Sequence, residues 1–94
     1  MKIPQQDELI EIEYKGERLS AIVNSLSPHR DEPGIFWLWL QVDAPIQEGE
    51  YVHLITEEGR FPQLGVNKVQ ARESSSLIQV RAYEGFLPER ERGL

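Results

Sequence analysis

Ninety-four residues leave room for one domain with one modest core. Sixteen acidic against ten basic residues give a formal net charge of −6, and the basic residues are scattered, so a nucleic-acid partner is not expected. With no cysteine, neither a disulfide framework nor a thiolate metal site is available, and no run is long and apolar enough to span a membrane.

The opening residues 1–7 form a polar lead without the apolar segment of a secretory signal, which points to a cytoplasmic protein. From Glu8 to Lys15, Ile10, Ile12 and Tyr14 alternate with Glu11 and Glu13, the pattern of a half-buried antiparallel strand. Lys15-Gly16-Glu17 is a tight turn, and Arg18 to Leu26 returns as the second strand of a hairpin. Ser27 to Gly34 holds two prolines and a glycine and reads as the longest loop of the chain.

The loop leads into Gly34-Ile35-Phe36-Trp37-Leu38-Trp39-Leu40-Gln41-Val42, which holds both tryptophans. Alternation puts Phe36, Leu38, Leu40 and Val42 on one face and Ile35, Trp37, Trp39 and Gln41 on the other. Both faces are apolar, so this strand is expected in the middle of a sheet or in a barrel wall. Ala44 to Glu50 connects to a strand from Tyr51 to Thr56. Glu57-Glu58-Gly59-Arg60 then signals a hairpin into a run from Phe61 to Ala71. Pro62 and Gly65 interrupt that run, and proline cannot donate to a ladder. The strand is therefore expected to lie on an edge, to be bulged, or to be broken near its start, and strand addition near Phe61-Pro62 is a further mode of binding. Ser74 to Ser76 makes the last turn and Leu77 to Tyr83 the last strand. Residues 86–94 form a charged tail whose first two residues could dock.

No stretch shows a convincing 3.6-residue period. Short strands separated by turn signals imply an all-β, single-domain antiparallel barrel of about six strands, because closure removes exposed edges.

Catalytic signals are sparse. No serine lies in a Gly-x-Ser-x-Gly turn, and a general base would have to be His29 or His53. No His-x-His, His-Glu-x-x-His or Asp-x-Asp pattern occurs, so neither a metal site nor a cofactor is expected. Trp37 and Trp39 are the strongest binding candidates, with His29, Arg30 and Asp31 of the adjacent loop beside them. Aromatic side chains dominate cores, so burial of the pair within the monomer is the more frequent outcome. The other is an exposed platform for a partner protein or a second copy, with Arg60 or Arg81 capping a ring.

The order of hairpin, Asn24-to-Gly34 loop, apolar strand and Glu48-Gly49-Glu50-Tyr51-Val52 resembles a PilZ barrel. That family's nucleotide site uses an Arg-x-x-x-Arg stretch before the first strand and an Asp/Asn-x-Ser-x-x-Gly motif after the second. Met1 to Glu8 holds no arginine, and Asn24, Ser27 and Gly34 lack the motif's spacing, so the resemblance implies a barrel of that size without the cyclic-dinucleotide site. The layout is also similar to small phage head–tail joining proteins, whose compact barrels carry loops and tails that order on assembly. Together these readings lead to an expected non-enzymatic binding or assembly module acting through protein contacts. The alternative is a small ligand-binding or enzymatic barrel using a loop histidine.

Overall fold

The computed structural model describes residues 1–89 and contains the strands β1 (Leu9–Tyr14), β2 (Glu17–Pro28), β3 (Ile35–Val42), β4 (Tyr51–Thr56), β5 (Gly59–Ala71) and β6 (Ser76–Tyr83). They close into an antiparallel barrel in the order β1-β2-β3-β6-β5-β4, as the strand count and turn spacing imply. Among the described residues no helix is long and apolar enough to cross a membrane.

The inward-facing residues follow the period-2 pattern. Ile12, Val23, Leu38, Leu40, Val52, Leu54, Phe61, Ile78 and Val80 are fully buried in one core. The lead is less polar in the fold than in sequence. Met1, Ile3 and Pro4 are buried, and Met1 and Ile3 join Phe86 in the core at the end where β3 begins. Ile46 is buried at the other end, held beside Ser76 at the start of β6. Phe86 docks edge-on against Phe61 with ring centroids 5.3 Å apart, whereas Leu87 is exposed. The rest of the charged tail, 90–94, lies outside the described residues.

Two expectations change. β2 continues to Pro28, where it still pairs with Phe36, and the His29 N–H donates to the Ile35 carbonyl at 2.7 Å. The loop is therefore only 29–34, since a proline at a strand end forfeits little of the ladder. β5 is not an edge strand, because β4 and β6 pair with its two sides. The register runs from Leu54↔Phe61 to Val52↔Leu64, so Pro62 and Gln63 bulge opposite His53. Gln63 takes a positive φ of 59°, and its N–H donates to His53 Nδ1 at 2.9 Å. A bulge with a side-chain acceptor absorbs the proline without opening the wall. Strand addition at Phe61-Pro62 has no free edge to use.

Glu50 ties the connection 43–50 to the β1–β2 turn. Its carboxylate accepts from the Tyr14 hydroxyl at 2.7 Å and the Gln47 N–H at 2.8 Å, and it pairs with Lys15 at 3.2 Å. Those donors, Tyr14 foremost, hold the Glu50 carboxyl below the usual carboxylate range. A depressed folded value means stability that is present above the unfolded carboxylate pKa and lost as pH falls through the folded one. Glu50→Gln is expected to flatten the acid side of a urea-midpoint-against-pH curve. An unchanged acid slope would show that the carboxylate is not coupled to folding.

Candidate functional site

β3 and β6 pair along their whole lengths, and their outward side chains form one wall. Because β3 alternates, its outward residues are Ile35, Trp37, Trp39 and Gln41. Trp37 lies between Ser27 of β2 and Arg81 of β6, and Trp39 between Ser25 and Gln79. Gln41 lies between Ile22 and Leu77, and Ile35 pairs with Tyr83. The serines are too short to cover the indoles from the β2 side. Both tryptophans are half-buried, and neither packs against the core. Burial within the monomer, the more frequent outcome, is met only in part, since both indoles are half-buried and lie outside the core.

Leu77 is only 7% exposed yet lies outside the core cluster, so its cover comes from neighbours on the outer wall, where Gln41 and Gln70 flank it in register. Gln79 is equally low-lying, at 9%, and its Oε1 accepts from Asn67 Nδ2 at 2.7 Å. These anchored side chains give the wall a packed floor, while Ile22 and Tyr83 at its margins are 43% and 40% exposed.

The loop 29–34 brings one predicted residue to the tryptophans. His29 stacks on Trp37 with ring centroids 5.7 Å apart and planes 28° apart, and its Nδ1 accepts from the Asp31 N–H at 3.1 Å. Arg30 and Asp31 are exposed on the same loop, with no ion pair among the described residues. Neither arginine that could cap an exposed ring does so among the described residues. Arg60 bonds Glu13 at 3.0 Å and Glu89 at 2.6 Å, and Arg81 lies beside Trp37 in register, while the cation–π contact among the described residues is Lys15 with Tyr14.

The two histidines do not share a site. His53 is on β4, across the barrel from β3, and its Nδ1 is committed to the β5 bulge. No group of three or more His, Asp or Glu converges to hold a metal ion among the described residues.

The charge distribution is the feature that sequence reading missed. Of the sixteen carboxylates, none lies in Arg18–Pro28, Ile35–Val42, Gly59–Ala71 or Ser76–Tyr83. The contiguous wall β2-β3-β6-β5 therefore carries no acid beyond Glu17, whereas Glu11 and Glu13 face outward from β1. Lys68 and Arg81 stand on this wall without an ion pair among the described residues. Counting acids strand by strand would have shown that β3, β4, β5 and β6 carry none and that strand acids are confined to Glu11, Glu13 and Glu17. No protein-family model matches the chain, and no curated protein or solved structure shows significant similarity to it.

Proposed function

We propose that this chain is a cytoplasmic, non-enzymatic protein-binding module whose contact face is the outer wall of β3 and β6, centred on Trp37 and Trp39. The observation that carries the reading is that both indoles stand outside the core on a wall free of carboxylates. Interface centres are depleted in Asp, Glu and Lys and enriched in Trp, Tyr and Arg, and such aromatics dominate binding energy when a partner excludes water. His29 on Trp37 and Tyr83 beside Ile35 extend the aromatic surface toward the loop 29–34. Cyclic or linear nucleic acid fits less well, since phosphate neutralisation needs more cations than Lys68 and Arg81 supply.

The double substitution Trp37→Ser/Trp39→Ser tests this reading. Stability should fall by no more than about 1 kcal/mol, because no core cavity opens. Acrylamide should quench the wild-type indoles readily in dilute solution. A protein retained by immobilised wild type from cell extract should be lost with the folded double variant. Equal retention by both proteins would remove the wall as the contact face.

A further inference from the structure

We infer that the β3–β6 wall docks onto the β1–β4 seam of a second copy, head to tail. The inference rests on the reading of that wall as a contact face. Around the closed ring β1-β2-β3-β6-β5-β4, the β1–β4 seam is separated from the β3–β6 pair by β2 on one side and β5 on the other, so the two walls are on opposite sides of the barrel.

Their charges are complementary. β1 and β4 pair only from Glu11↔Ile55 to Glu13↔His53, whereas β3 and β6 pair from Ile35↔Tyr83 to Val42↔Ser76. Beyond Glu11 the strands β1 and β4 part, and a cleft of about 320 Å³ opens between Leu9, Ile55 and Thr56, rimmed by Glu8, Glu11 and Glu57. It continues past Lys2 and Glu58 as a second cavity of about 300 Å³. Leu9 is 67% exposed there, an apolar side chain without cover. The opposite wall offers indoles and Arg81 and Lys68, which have no ion pair among the described residues, and it holds no carboxylate.

A wall meeting its own image would offer Arg81 and Lys68 no carboxylate to pair with, so an isologous pair is disfavoured. The heterologous contact brings an arginine and apolar rings to an acid-rimmed cleft that Leu9 and Ile55 help to line, and it leaves a free wall and a free cleft at the ends. Such a contact grows into open chains unless its rotation closes a ring. The eight-residue strands make a wall about 27 Å long, and with β2 and β5 about 14 Å wide, a footprint of about 400 Å². That is roughly half the area per partner of a stable interface, so association is weak and reversible. It should also weaken as salt screens the charges.

Sedimentation velocity of the full chain from about 0.02 to 2 mM tests this, in the concentration range such a footprint implies. Wild type is expected to pass beyond dimer as concentration rises. Trp39→Ser, which disables the wall, and Leu9→Lys, which puts a cation in the cleft at an exposed position, should each remain monomeric. An equimolar mixture of the two should stop at a one-to-one pair, because each supplies the surface that the other lacks. Self-association blocked by Trp39→Ser but untouched by Leu9→Lys would overturn the head-to-tail contact in favour of wall against wall, with the contact face intact. A wild type monomeric throughout would overturn self-association altogether. Retention of another protein by wild type but not by Trp37→Ser/Trp39→Ser would then show that the same wall serves a different partner.

Discussion

Phe61→Ala is expected to lower the unfolding free energy by about 3–5 kcal/mol, the usual range for emptying a buried phenylalanine site. Phe61 heads the fully buried side chains by volume and lies edge-on to Phe86, which itself stacks on Tyr83 at 4.8 Å. The site has little freedom to collapse. Its backbone is paired with Leu54 on β4, and the Pro62-Gln63 bulge held by His53 follows at once. A domain this small holds on the order of 5–10 kcal/mol in all, so the variant should melt at least about 12 °C lower and be partly unfolded in mild urea. The loss should also release Phe86, and with it the packing at that end of the barrel. Urea unfolding followed by circular dichroism measures this directly. A loss under about 1 kcal/mol would mean that Phe61 is not a packing centre. Trp39→Ser is the internal comparison: the side chain removed is larger, yet the expected loss is smaller, because the indole lies outside the core.

That contrast shows what β3 revealed and what it withheld. Period-2 alternation separates Trp37 and Trp39 from Leu38 and Leu40 without help from the structure. It does not say which set faces inward when both are apolar. The answer lies in the register, where Ser25 and Ser27 on one side and Gln79 and Arg81 on the other flank the indoles. Those neighbours come from distant parts of the chain and are set by topology, which alternation within one strand cannot report.

The misplaced edge has a similar cause. Proline removes a donor, and an edge strand is the simplest place to tolerate that loss. Here the chain uses a bulge, and the acceptor that completes it is His53, ten residues away on the neighbouring strand. The buried lead was also illegible, because Met1, Ile3 and Pro4 have no period and gain meaning only against Phe86 and the barrel's open end. The absence of carboxylates from β3, β6, β5 and β4 was available in sequence. It needed the ring order to become one wall rather than four separate runs.

Ser76→Ala is expected to cost about 2–3 kcal/mol, a large effect for the removal of one oxygen. Ser76 follows two other serines, and in sequence the three read as one interchangeable turn. In the fold they are distinct: Ser74 is exposed, Ser75 is half-buried and Ser76 is 1% exposed at the first position of β6. Its hydroxyl donates to the Ala44 carbonyl at 2.6 Å and accepts the Ile46 N–H at 3.1 Å. One oxygen thus satisfies two backbone groups of the connection 43–50 and seats Ile46 in the core. Alanine removes both bonds at once and leaves the Ile46 N–H buried without an acceptor, which costs more than the net worth of an exposed hydrogen bond. Ser74→Ala should change stability by less than about 0.5 kcal/mol, since its side chain is solvated. Hydrogen exchange at the Ile46 amide separates the local from the global effect. In Ser76→Ala that amide should exchange faster than the global stability loss alone allows. A protected Ile46 amide in a variant as stable as the wild type would show that the connection is held by packing of Ile46 and not by the hydroxyl.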